Sequence, residues 1–173
     1  MTESTRRTYK FCLEMLQQRQ YKIDVEDYEN NCITATKPNG QKMIVIFYEG
    51  VKFDVKAMKE TISVMNEKKV THVLIIYKKD VTPATRSTLL RSLEFEYELF
   101  AEKDLQYNIT KHILQPKFES IGEQESSEFI KKYGNMFPTL RLDRPIARFY
   151  NYKRLEVIKI TRQDGYITFR IVR

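Results

Sequence analysis

The chain has 173 residues, of which 42% are hydrophobic and 31% charged, and a formal charge of +7. This balance describes one compact domain or two small ones and excludes a disordered chain. No apolar run approaches the roughly 18–20 residues needed to cross a bilayer. The polar stretch from Met1 to Lys10 lacks the apolar core of a secretory signal, so an intracellular protein with no membrane partner is expected.

Thr5 to Gln20 reads as an amphipathic helix, because Tyr9, Cys12, Leu13 and Leu16 recur at the helical period. Asp24 to Asn39 is polar, ends in Pro-Asn-Gly and reads as loop, with a short strand at Cys32 to Thr36. Met43 to Tyr48 is an apolar run of strand length, as expected for a strand covered on both faces. Asp54 offers an N-cap to a helix from Val55 to Lys68, with Val55, Met58, Ile62 and Met65 as its apolar stripe. Val73 to Tyr77 is a second strand. Thr82-Pro83 supplies an N-cap and a proline at N1 for a helix reaching about Leu93. Glu94 to Leu99 alternates acids with Phe95, Tyr97 and Leu99, which predicts a strand whose acidic face is solvated. Alternating helices and strands predict a layered α/β unit over about residues 1–105.

The remainder changes character. His112 to Phe118 reads as extended around Pro116. Ser126-Ser127 predicts the cap of a helix ending near Tyr133, before Gly134. Pro145 to Tyr150 predicts a helical turn with proline at N1. Val157 to Arg162 and Tyr166 to Val172 read as a hairpin joined through Gln163-Asp164-Gly165. Charge is uneven: Met1 to Thr110 carries 17 basic against 16 acidic residues, and Arg141 to Arg173 carries 9 against 3. A basic stretch like this suits a polyanion or an acidic protein surface equally well.

The residues of catalysis are missing. The five glycines are too scattered for a phosphate loop, and there is no GxSxG elbow. A Mg²⁺-dependent nuclease needs carboxylates on neighbouring strands; here Asp54 reads as a cap, and Glu94, Glu96 and Glu98 as a solvated edge. Cys12, Cys32, His72 and His112 form no ligand cluster, so no metal is expected. His72 reads as a structural or surface residue. No catalytic residue, cofactor or small-molecule substrate is expected.

Pro138-Thr-Leu-Arg-Leu-Asp143-Arg144-Pro145-Ile-Ala-Arg148-Phe-Tyr150, followed by Lys153-Arg154, Val157-Ile-Lys159-Ile160 and Tyr166-Ile-Thr-Phe-Arg170, resembles one known domain. It is the C-terminal domain of the fifth subunit shared by eukaryotic DNA-dependent RNA polymerases, a domain that forms a whole small subunit by itself in the archaeal enzyme. Asn108-Ile-Thr-x-His112 is similar to the stretch joining the eukaryotic subunit's two domains. The upstream elements follow the eukaryotic jaw domain in order, and Val81-Thr82-Pro83-Ala84 is similar to its Thr-Pro-Ser-Ala turn. Four positions depart from the family: Ala84 stands where serine is usual, Arg144 stands in place of an Asp, and Asn151 and Leu155 stand in place of glycines. Leu155 is expected to impose a turn with φ below zero.

The resemblance implies an α+β protein: an N-terminal layered α/β jaw domain over 1–108, then a small α+β polymerase-docking domain over 109–173. It implies a non-catalytic subunit that docks on the largest polymerase subunit and joins the lower jaw near downstream duplex DNA, polymerase activity residing in the two largest subunits. Thr82, Pro83 and Ala84 would then be DNA-proximal. Arg148, Tyr150, Lys153, Arg154, Lys159 and Arg162 would form the protein interface. Location would be the nucleus for a cellular protein, or host cytoplasm and virion for a homologue from a large DNA virus. The alternative is a free-standing basic nucleic-acid-binding protein, with Phe149, Tyr150 and Tyr152 as a stacking surface.

Overall fold

The computed structural model describes residues 3–27, 30–91, 94–134 and 136–173. The fold is α+β, with helices packed on mixed sheets, and it divides into two compact units, Met1–Tyr107 and Asn108–Arg173.

The first unit runs α1 (Glu3–Gln18), β1 (Lys22–Asp27), β2 (Cys32–Thr36), β3 (Lys42–Tyr48), β4 (Lys52–Phe53), α2 (Val55–Lys68), β5 (His72–Tyr77), β6 (Asp80–Val81), α3 (Pro83–Arg91) and β7 (Glu96–Ala101). Its five-stranded sheet has the order β1-β2-β3-β5-β7. The β1-β2-β3 part is antiparallel, and β3, β5 and β7 are parallel. Parallel neighbours need crossovers, which α2 and α3 supply. On their side of the sheet, Ile44, Val73 and Ile75 pack with Met58, Met65 and Leu89. Helix α1 covers the other side: Cys12, Met15 and Leu16 are fully buried, and Tyr9 lies against Phe47 of β3 with ring centroids 5.3 Å apart. Both faces are therefore covered, which is why β5 is apolar throughout apart from His72 and Tyr77.

Two expectations change here. The polar segment read as loop contains a strand, β1, because its backbone pairs with β2 while its side chains stay largely exposed. An edge strand with little burial carries no hydrophobic period to read. Helix α1 also stops two residues early, where Gln20 turns left-handed (φ 64) and the Tyr21 N–H closes back on the Leu16 carbonyl. The expected end of α3 near Leu93 lies outside the described residues.

The second unit runs β8 (Lys117–Ser120), α4 (Glu123–Tyr133), β9 (Thr139–Leu140), α5 (Pro145–Tyr150), β10 (Val157–Thr161) and β11 (Ile167–Val172), in sheet order β8-β10-β11-β9. The hairpin β10–β11 turns through Gly165 at φ 82, with the Gly165 N–H donating to the Arg162 carbonyl. Ile146, Ala147 and Tyr152 pack on Ile158, Ile160 and Val172 to form the core. Helix α4 starts at Glu123 rather than at Ser126. The Ser126 hydroxyl is engaged elsewhere: it accepts the buried Val157 N–H at 2.9 Å, a tertiary use no local pattern announces. Leu155 also departs from expectation. Its φ is +69, so the turn keeps a glycine-like backbone with a leucine on it.

Candidate functional site

Two surface regions carry the residues singled out by sequence. The first is the start of α3. Strands β4 and β6 pair in parallel, Lys52 with Asp80 and Phe53 with Val81, and each runs directly into a helix. Consequently α2 and α3 begin side by side, and the Thr82 N–H donates to the Phe53 carbonyl at 3.1 Å. The Asp54 carboxylate caps α2 by accepting the Ala57 N–H at 2.9 Å, which accounts for this acid without a metal. Thr82 caps α3, accepting the Thr85 N–H at 3.4 Å and meeting the fully buried Thr85 hydroxyl at 2.7 Å. Thr82 is half-buried, while Pro83 and Ala84 are exposed. Two helix N-termini thus open at one corner, a setting whose unpaired N–H groups and dipoles favour phosphate oxygens.

The second region is α5 and the loop after it. Arg148 and Tyr150 are half-buried on α5, and Lys153 and Arg154 are exposed just beyond. Lys159 and Arg162 do not join them. Lys159 alternates with Ile158 and Ile160, which pack toward α5, so it faces the other side of the sheet, opposite Glu119 and Phe169. Arg162 lies at the hairpin turn over the Tyr166 ring. The interleaved aromatics pack largely on one another. Phe149 and Tyr152 are buried, and Tyr150 packs between them, stacked on Tyr152 with centroids 5.3 Å apart. Burial pushes the Tyr152 hydroxyl well above the ordinary phenol range.

A third cluster lies inside the first unit. Arg19 reaches Glu98 through both terminal nitrogens at 2.8 Å, a two-pronged ion pair. His72 Nε2 contacts the same carboxylate at 2.8 Å, and its Nδ1 meets the Tyr21 hydroxyl at 3.3 Å. Burial would raise the Glu98 carboxyl, but Arg19 and the His72 contact outweigh it and bring the group down to about 2. The strand face read as solvated is therefore buried at Glu98, because α1 covers it. A signal was present: Arg19 continues the buried stripe of Cys12 and Leu16 by one further helical step. His72, Glu96 and Glu98 place ligand-type atoms within 4.8 Å of one another. Arg19 already supplies the cation for Glu98, so this cluster is a fastener between α1, β5 and β7 and fits a metal poorly.

Comparison with known proteins bears on the second unit first. Residues 107–172 match the family model described as RNA polymerase Rpb5, C-terminal domain. A protein of Invertebrate iridescent virus 6, described as a candidate DNA-directed RNA polymerase subunit (454R), is 42% identical over 44% of this chain and 48% of its own length. The Caenorhabditis elegans subunit RPABC1 of RNA polymerases I, II and III is 28% identical, over 76% of this chain and 66% of its own. The corresponding Dictyostelium discoideum subunit is 26% identical over 94% of this chain and 93% of its own. The chain thus spans about half of the viral relative and about two thirds of the nematode one.

Proposed function

We propose, from the premise that this chain has its homologues among Rpb5-type RNA polymerase subunits, that it is a non-catalytic subunit of a multisubunit DNA-dependent RNA polymerase. In this reading the second unit docks on the largest subunit, and the first contributes to the lower jaw beside downstream duplex DNA. The observation that carries the reading is the family match over 107–172, the unit that holds the basic, aromatic α5 segment. Arg148, Tyr150, Lys153 and Arg154 form the core of the interface, since arginine and tyrosine are frequent anchors of protein contacts. Lys159 and Arg162 join it only if the partner wraps onto the opposite sheet face. Thr82, Pro83 and Ala84 lie nearest the DNA, with Thr82 as the cap that shapes the corner and the exposed Pro83 and Ala84 as the approach to phosphate.

The test is co-purification. The tagged chain, expressed in its own host or infected cell, is isolated under native conditions and its partners are identified by mass spectrometry. A subunit travels in stoichiometric amount with the two largest polymerase chains. Isolation without them would end this reading.

A free-standing nucleic-acid binder remains the second reading, favoured by the 9 basic against 3 acidic residues of Arg141 to Arg173. Its affinity for duplex DNA would fall steeply with salt in the absence of any polymerase chain. The mutual packing of Phe149, Tyr150 and Tyr152 weighs against it.

A further inference from the structure

Among the described residues, five other than glycine have positive φ: Gln20, Asn31, Lys69, Asn151 and Leu155. Four have a local reason. Gln20, Lys69 and Asn151 end helices, and the next N–H reaches back to Leu16, Met65 and Ala147 respectively, the usual left-handed closure. Asn31 belongs to a residue type that tolerates this region. Leu155 has no such reason. The Glu156 N–H donates to the Lys153 carbonyl at 3.2 Å, so residues 153–156 form a β-turn with Leu155 in third place. Arg154 before it is not left-handed, which makes the turn type II, and that third place favours glycine or asparagine.

A leucine here is strained by its own Cβ. Packing within the unit does little to offset the strain, since the side chain is 56% exposed. Its surroundings are specific. The Leu155 N–H donates to the Val172 carbonyl, and the Leu142 N–H to the Arg173 carbonyl, at 3.0 and 2.9 Å. Segments 140–142, 153–156 and 172–173 therefore lie side by side at one end of the sheet. These neighbouring segments carry the exposed Arg141, Lys153, Arg154 and Arg173. Of the acids nearby, Asp143 is bridged by Arg141, and Glu156 is half-buried.

We propose that Leu155 is a specificity-determining knob of the docking surface, entering an apolar cup rimmed by carboxylates on the protein that the second unit binds. The inference rests on the reading of that partner as the largest polymerase subunit, and adds what the partner must present. Charge selects the rim: four basic side chains against the two acids Asp143 and Glu156 leave the corner net positive, which calls for acidic groups opposite. The leucine selects protein over nucleic acid, because an exposed aliphatic side chain has nothing to bury against a phosphate backbone, whereas it fills a pocket on a protein. Strain borne by the free chain is then offset on binding.

Leu155→Gly and Leu155→Asn both suit the left-handed backbone and both remove the knob. In the full chain each is expected to raise the thermal unfolding midpoint by about 2–4 °C. Each is also expected to lose roughly tenfold in competition with the wild-type chain for incorporation with the two largest polymerase chains. A merely structural leucine could not move stability and assembly in opposite directions. Undiminished incorporation of both variants, with the wild type still co-purifying, would overturn the knob and leave the docking reading standing. A wild type that fails to co-purify would remove the docking reading itself, and the cup with it. A lowered midpoint would refute the strain argument. Loss of duplex DNA binding in both variants, with polymerase incorporation kept, would assign the corner to nucleic acid instead.

Discussion

Replacing Arg19 by methionine isolates the buried fastener of the first unit. The change keeps a long apolar stem and good helix propensity and removes only the guanidinium. It leaves Glu98, itself 8% exposed, without the partner that holds it through two hydrogen bonds. The magnitude follows from the carboxyl. A group brought from its ordinary value of 4.5 to about 2 contributes on the order of 3 kcal/mol at neutral pH, at roughly 1.4 kcal/mol per pH unit. Removing one member of a buried pair costs about 3–5 kcal/mol, which agrees. The pH dependence carries the sharper test. In the wild type the folded value lies below the unfolded one, so the contribution is complete above about pH 4.5 and is lost as pH falls toward 2. In the variant Arg19 no longer opposes burial and the His72 contact alone does, so the folded value rises from about 2 and less stability is lost on acidification than in the wild type. Urea unfolding followed by far-UV circular dichroism at about pH 7, 4 and 3 measures both effects. A loss under about 1 kcal/mol at neutral pH, or a pH slope parallel to the wild type's, would mean that Arg19 does not hold the buried Glu98 charge.

Three further perturbations probe other parts of the molecule. Asp54→Ala removes the cap of α2 and should lower stability by about 1 kcal/mol in denaturant unfolding, while duplex DNA incubated with Mg²⁺ stays uncut by either protein. Ser126→Ala strips the acceptor from the buried Val157 N–H and should cost about 1–3 kcal/mol, read as a lower unfolding midpoint of the second unit. Ala84→Glu adds an anion at the exposed start of α3 and, in the proposed reading, should weaken crosslinking of the assembled polymerase to downstream DNA without lowering incorporation. Equal crosslinking by the variant would detach this corner from the DNA.

Elements whose signals are local were legible in the residues alone. Asp54 marked the start of α2 and Lys68 its end, Thr82-Pro83 marked α3, Pro145 opened α5, and Asp164-Gly165 joined β10 to β11. These signals are legible because a cap, a proline or a turn satisfies or blocks backbone groups within a few residues of itself. The motif from Pro138 onward, read the same way, carried the resemblance that the family match over 107–172 supports.

Which face of a strand lies inside depends on the elements packed over it. The acids of β7 read as solvated because alternation shows that two faces differ, not that one of them meets water. Glu98 is buried because α1 lies over it, and Arg19 that neutralises it is 79 positions away in sequence. Likewise β1 exists through its pairing with β2, and Ser126 is committed to Val157 rather than to a cap. Leu155 shows the same limit for the backbone. Its side chain alone argues for negative φ, yet the ladder to Val172 and the turn back to Lys153 hold it at +69. Local preferences of about a kcal/mol yield when several long-range hydrogen bonds and a packed core depend on one conformation.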